Sequence, residues 1–265
     1  MLNDLEAREA LHVLVPHQLA NAVPSGTAIL QGGVNLRLFF GSQRYSEDLD
    51  LDFEPRAQAA CVAAVHGTLA SAWLRERLRA LGIERLDYAG RPAKNTATTV
   101  RFKLGVVQRG GIRLPTRIEA SLRGALPTEP PLREEPDLAL AGRYLTPADG
   151  PLAVWHYPRV AAVRQKIRAL AARALPQTRD VFDRWVLTDG DLAQVDAVSL
   201  RRGLTTSEPE EAGRRAWTIG HAQFRDQVVE FLDDEDQRAF DRPEEWERRQ
   251  LLVAELADLL LRTPA

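Results

Sequence analysis

Apolar residues recur at helical spacing between residues 3 and 21, and a "PSG" turn follows, which predicts an amphipathic helix closed by that turn. Ala28 to Gln31 is a short apolar run that reads as a strand. Gly32-Gly33 breaks it, and "VNLRLFF" then fits a helix ending at Gly41. From Asp48 to Glu54 acidic and apolar residues alternate strictly, the period of a strand. A long helix is predicted next, from about Arg56 to Leu81, with Gly82 closing it.

The pattern then changes. "IERLDYAG", "TATTVRFKLGVV" and "IRLPTRIEASLR" are β-branched or alternating and separated by turn residues, so they read as successive antiparallel strands. Pro127 to Pro136, "PTEPPLREEP", reads as a rigid loop, and "GRYLT" and "LAVWHY" as two further short strands. From Pro158 onward the spacing is helical, apart from loops near Asp189 and from Thr205 to Glu208. The expected class is α+β: a mixed sheet with helices over residues 1–155, then a helical part over 156–265.

Length and composition fit this picture, with 265 residues, 45% hydrophobic and 27% charged, the profile of a soluble globular protein. The net charge of -2 gives no overall attraction to nucleic acid or membrane, but its distribution is uneven. Twelve Arg or Lys face four Asp or Glu between Trp73 and Arg123, whereas from Thr205 onward fifteen acidic residues face eight basic ones. Such asymmetry suits one surface that attracts a polyanion; unevenly spread solvated charge is the other reading. Cys61 is the only cysteine, which excludes an intrachain disulfide and a cysteine-based zinc site, and its apolar setting predicts a buried thiol. The N-terminus shows no signal-peptide pattern and no apolar run is long enough for a membrane span, so a cytoplasmic location is expected. The five histidines show no close metal-binding spacing and are expected to be structural. Only three lysines occur, Lys94, Lys103 and Lys166.

The chemistry concentrates in "LQGGVNLRLFFGSQRYSEDLDLDF". Side chains two apart on a strand share a face, so Asp48, Asp50 and Asp52 point one way and Leu49, Leu51 and Phe53 the other. Three neighbouring carboxylates repel, and a divalent cation is an economical way to offset this, Mg²⁺ in particular favouring carboxylate oxygens and substrate phosphates. A solvated acidic edge strand is the alternative. Gly32-Gly33, between a strand and a helix, would let backbone N–H groups approach a phosphate, and an ordinary tight turn would use the same residues.

The combination resembles a known family. Gly32, Gly33, Leu36, Arg37, Arg44, Tyr45, Ser46, Asp48, Leu49 and Asp50 are similar to the first motif of the AbiEii-type nucleotidyltransferase toxins, members of the DNA polymerase β-like superfamily. Asn35 departs from the family's usual alanine. A second block, "RQKIRALAARALPQTRDVFDRWVL", resembles the later motif through Lys166, Ala169, Leu170, Arg173, Arg179, Asp180 and Asp183. The resemblance implies a polymerase β-like fold that uses an NTP and Mg²⁺ or Mn²⁺.

It implies residue roles as well. Asp48 and Asp50 would be metal ligands, with Gly32, Gly33, Arg44, Ser46 and Lys166 around the nucleotide's phosphates. A third carboxylate would come from a neighbouring strand; alternation in "RIEAS" makes Glu119 the candidate, beside Arg117 and Ser121, with Asp52 secondary and a solvated Glu119 the alternative. Ser46 would be a site of regulatory phosphorylation, because a phosphate there adds negative charge beside the metal ligands. Asp180 and Asp183, three apart on a helix, would orient Lys166 or Arg173 or serve structure alone.

The reading that follows is an NMP transfer from an NTP to a tRNA 3′ end, which blocks translation. The basic strands would hold the RNA, a cognate antitoxin would be the partner protein, and no membrane would be involved. Modification of a small molecule or a protein hydroxyl is the alternative, since shared chemistry does not choose the acceptor. A catalytically silent binding protein is the remaining one.

Overall fold

The computed structural model describes residues 2–54, 57–123 and 129–264. Its chain clusters into two compact units: Met1–Phe39, Tyr45–Ala125 and Pro130–Tyr157 in the first, and Phe40–Arg44, Leu126–Glu129 and Pro158–Ala265 in the second.

The first unit is built on a mixed sheet. Its strands are β1 (Ala28–Gln31), β2 (Asp48–Phe53), β3 (Ile83–Asp87), β4 (Lys94–Thr96), β5 (Thr99–Gln108), β6 (Arg113–Ser121), β7 (Leu132–Glu134) and β8 (Val154–His156). They lie in the order β3-β5-β6-β2-β1-β8-β7, with β4 also pairing β5. The β2–β6 and β1–β8 pairs are parallel and the others antiparallel. β6 buries Leu114, Thr116, Ile118 and Ala120 and leaves the residues between them partly or fully exposed, so one face is sealed and the other polar.

Among the helices that share the core with the sealed face are α1 (Asp4–Ala22), α3 (Gln58–Ala70) and α4 (Ala72–Ala80). Leu11, Leu14, Val65 and Leu78 meet Leu49, Leu51, Phe102 and Ile118 in one hydrophobic cluster. Asn3 and Glu6 cap α1 reciprocally, each side chain bonding the other's backbone N–H at 2.9 Å. α2 (Gly32–Phe39) joins β1 to the loop before β2. Cys61 is buried, and burial pushes its thiol up to about 12, which leaves it protonated and inert.

Three sequence expectations are corrected. The helix expected to run unbroken to Leu81 is two helices, because Ser71 leaves helical geometry and caps α4 by accepting from the Leu74 N–H at 3.2 Å; its expected start at Arg56 lies outside the described residues. The apolar spacing of Leu69, Leu74 and Leu78 runs across that break and conceals it. "GRYLT" is no strand: a one-turn helix α5 (Leu138–Ala141), capped by Asp137, continues into a turn in which the Leu145 N–H donates to the Ala141 carbonyl. The proline-flanked loop expected over 127–136 contains β7, which pairs with β8 at the sheet edge, while residues 127 and 128 fall outside the described part.

The second unit is helical: α6 (Arg159–Ala172), α7 (Thr178–Leu187), α8 (Ala197–Arg201), α9 (Ser207–Ala216), α10 (His221–Gln227), α11 (Asp234–Phe240) and α12 (Pro243–Arg262). At its centre the fully buried Arg249 of α12 sits among aromatic rings, its guanidinium 4.3 Å from the Trp185 centroid and 4.5 Å from that of Phe240. Glu245 one turn earlier accepts from it at 2.9 Å, so the buried charge is shared between a carboxylate and π-faces. Among the described residues no helix is long and apolar enough to cross a membrane.

Candidate active site

The polar face of the sheet is ordered by strand register. One row runs Lys94, Arg101, Glu119, Asp50, Gln31 across β4, β5, β6, β2 and β1. The next runs Lys103, Arg117, Asp48, and a third contains Thr96, Thr99, Ser121 and Asp52. The face is therefore basic along β4 to β6 and acidic where β6 meets β2. Asp50 and Glu119 are direct register partners, an arrangement that repels unless another charge offsets it.

Two arginines supply that charge. Arg117 Nη2 lies 2.6 Å from Asp48 Oδ2, and Arg101 Nε donates to Glu119 Oε2 at 2.5 Å. Both arginines are partly exposed, with 42% and 31% of their side-chain surface accessible. The donors present are hard carboxylate oxygens, the type Mg²⁺ or Mn²⁺ takes, and Asp48, Asp50 and Glu119 sit on adjoining strands of one face. Among the described residues, however, no three His, Cys, Asp or Glu side chains converge tightly enough to hold a metal as they stand. The donor set fits a divalent cation in kind and placement, and two of its carboxylates are paired with arginines.

Gly32 opens α2 in the left-handed region (φ +67°), and a Cβ built there would lie 2.5 Å from Asp50 Oδ2. The glycine is thus required twice, by its backbone angle and by the carboxylate packed against its Cα. Gly33 is buried in the same first turn.

Asp52 belongs to a different system. Tyr157 donates its hydroxyl to Asp52 Oδ2 at 2.5 Å and Gln31 Nε2 donates to Oδ1 at 3.2 Å. Burial raises its pKa, against the hydrogen bonds from Tyr157, Ser121 and Gln31. Tyr157 in turn leads to Asn35, whose Nδ2 donates to the Tyr157 carbonyl and whose Oδ1 lies 2.9 Å from His156 Nδ1. The asparagine at the family's alanine position therefore ties α2 to the end of β8. Sequence reading missed Tyr157, and only a buried partner for the third aspartate could have signalled it.

The loop before β2 is anchored from both ends. Ser46 Oγ donates to the Asp48 carbonyl at 2.8 Å. Thr116 donates its hydroxyl to the Glu47 carbonyl at 2.6 Å, which uses its single proton, so the contact at 2.9 Å from His12 Nε2 to Thr116 Oγ1 makes His12 the donor. Arg37 pairs with the buried Glu9 of α1 at 2.6 Å and stacks over Tyr45, with 4.2 Å from its guanidinium carbon to the ring centroid. Glu9 also accepts from the Tyr144 hydroxyl at 2.6 Å. Within the first motif, Arg37 and Tyr45 thus hold the approach to β2 in place.

Burial, with a lesser effect from Arg8, lowers the His12 pKa from 6.5 to about 3. A group lowered on folding lends stability that is present above its unfolded pKa and lost as pH falls towards the folded one. Wild type should therefore lose about 2–3 kcal/mol of unfolding free energy between pH 7 and pH 4.5 that His12→Gln does not lose, from the linkage of about 1.4 kcal/mol per pH unit. Urea titrations of both proteins at the two pH values measure this, and equal losses would remove His12 from the account.

In the second unit the buried Lys166, Asp180, Asp183 and Arg44 form one ionic cluster with the partly exposed Arg173. Lys166 Nζ lies 2.5 Å from Asp183 Oδ2 and 3.5 Å from Asp180 Oδ1; Arg44 Nη2 lies 3.2 Å from Asp183 Oδ1 and Arg173 Nε 3.2 Å from Asp180 Oδ2. Burial works to raise the Asp183 pKa, but Arg44 and Lys166 outweigh it and hold the carboxyl below the usual range. Burial also lowers Arg184 to about 10 despite Asp180 and Asp183. Helical spacing brings Asp180 and Asp183 to one side of α7, where both contact Lys166 of α6. Arg44, expected at the phosphates, has its guanidinium on Asp183.

Comparison with known proteins adds three findings. The family model described as "Nucleotidyl transferase AbiEii toxin, Type IV TA system" matches residues 15–252. The solved structure of MenT4, a nucleotidyltransferase toxin from Mycobacterium tuberculosis H37Rv, resembles the chain with a TM-score of 0.62 at 15% identity, over 99% of this chain and 85% of that one. JHP933 from Helicobacter pylori resembles it with a TM-score of 0.53 at 15% identity, over 98% and 92%. At such identity these two likenesses speak for the fold. No curated protein matches the sequence.

Proposed function

The chain belongs to the AbiEii nucleotidyltransferase toxin family, and from that premise we propose that it transfers NMP from an NTP to the 3′ end of a tRNA, in a reaction that depends on Mg²⁺ or Mn²⁺. The observation that carries this reading is the register of β2 and β6, which sets Asp50 beside Glu119 and Asp48 one row away, with Gly32 at the start of α2 packed on Asp50. In the transfer the acceptor's hydroxyl gives up its proton to solvent as its oxygen bonds to the α-phosphorus, the bond to the β-phosphate breaks, and pyrophosphate leaves with the electron pair. Asp48, Asp50 and Glu119 would hold the divalent cation, which supplies charge neutralisation and Lewis acidity at the phosphates. The N–H groups of Gly32 and Gly33, in the first turn of α2 where Gly32 packs on Asp50, would serve the triphosphate. Lys94, Arg101, Lys103 and Arg117 extend a cationic surface over β4 to β6 that suits an RNA backbone.

An antitoxin is the protein partner the family implies. Ser46 is the proposed point of control, because its hydroxyl already bonds the Asp48 carbonyl and a phosphoryl group there would crowd the carboxylates with negative charge.

The test is to incubate the protein with Mg²⁺, each labelled NTP in turn, and total tRNA. Label should appear on tRNA, disappear with Asp48→Ala and disappear with Ser46→Asp. Label on protein or small molecules alone would overturn the tRNA reading, and full activity of Ser46→Asp would remove Ser46 from control.

A further inference from the structure

The two arginines that face the acidic centre lie where a bound cation would repel them. Arg117 and Arg101 each contact a carboxylate of the proposed metal set, Asp48 at 2.6 Å and Glu119 at 2.5 Å. A divalent ion on those carboxylates would lie within a few ångströms of both guanidinium groups, and oxygens drawn into a coordination shell at about 2.1 Å could not keep full charge pairing with them. Both arginines are rooted on strands by flexible stems and reach solvent, so they can turn away without moving the sheet.

We propose that Arg117 and Arg101 form a latch on the carboxylates: they hold Asp48 and Glu119 until a divalent cation displaces them, and then bind phosphate oxygens of the nucleoside triphosphate. The inference rests on the metal-dependent reading above. Each guanidinium occupies a carboxylate oxygen that a cation would take, Asp48 Oδ2 for Arg117 and Glu119 Oε2 for Arg101. Displacement leaves two forked donors on the rows beside Asp48 and Asp50. A planar guanidinium matches phosphate in two-pronged fashion. The metal and the triphosphate thereby become mutually dependent ligands: the cation frees the arginines, and the triphosphate gives them new partners.

Binding, measured without turnover, tests this. Mn²⁺ affinity is read by electron paramagnetic resonance for wild type, Arg117→Gln, Arg101→Gln, Arg117→Lys and Asp48→Asn. Affinity for the α,β-methylene analogues of the four nucleoside triphosphates is then read at saturating Mn²⁺. Arg117→Gln and Arg101→Gln should bind Mn²⁺ about tenfold more tightly than wild type, since a competing charge is gone, and the triphosphate analogue about tenfold more weakly. Arg117→Lys should fall between wild type and glutamine in both. Unchanged or weaker Mn²⁺ binding in both glutamine variants overturns the latch while leaving the metal site standing. Absence of Mn²⁺ binding in every protein, or binding that Asp48→Asn leaves intact, overturns the metal reading and the latch with it.

Discussion

Asp50→Asn is expected to reduce nucleotidyl transfer about a thousandfold or more, and Gly32→Ala about a hundredfold, while both proteins remain folded. The asparagine keeps the shape of Asp50 but removes the charge that faces Glu119 across β2 and β6. The alanine leaves every functional group in place and displaces one of them. Its Cβ would sit 2.5 Å from Asp50 Oδ2, so the carboxylate or the helix start must shift. The backbone at φ +67° adds about 1–2 kcal/mol of strain for a residue with a side chain. A shift of about 1 Å is enough to cost about a hundredfold in rate. Single-turnover transfer of labelled nucleotide, run beside thermal melts, reads both effects. Gly32→Ala at wild-type rate would mean that Asp50 position is not critical, and the glycine would then be only a turn residue.

Much of this was legible in the chain because the sheet writes its two faces into the sequence. The alternation in Asp48 to Phe53 and in "RIEAS" predicts which side chains point together, whereas the pairing of β2 with β6 that places Glu119 beside Asp50 was implied only by the family resemblance. What the sequence could not carry is partner choice at long range. Arg117 is visible as a neighbour of Glu119, yet its contact with Asp48 depends on β2 and β6 pairing across about seventy residues. The same holds for Tyr157 on Asp52, His12 on Thr116 and Arg44 on Asp183. Local breaks were missed for another reason: at Ser71 hydrophobic spacing continues through a capping residue, so periodicity outvoted the cap. Arg37 and Tyr45 belong to the recognised motif through packing, since they brace α1 and the loop leading to β2.

The buried ionic cluster of the helical unit yields the other large effect. Asp183→Ala is expected to cost about 3–5 kcal/mol of unfolding free energy, because it removes a fully buried carboxylate that balances both Lys166 and Arg44. Lys166→Met should cost less, about 1–2 kcal/mol. Asp183 then keeps Arg44 and Asp180 keeps Arg173, so no buried carboxylate is left without a cation. Urea unfolding followed by circular dichroism reads the two losses, and an Asp183→Ala protein as stable as wild type would contradict the charge-balance argument. The pair also separates structure from chemistry at Lys166. If it holds the triphosphate, Lys166→Met loses transfer far beyond what its modest instability explains. If transfer persists, the lysine serves only to balance Asp180 and Asp183, and the phosphate-binding role falls to the arginines of the sheet face.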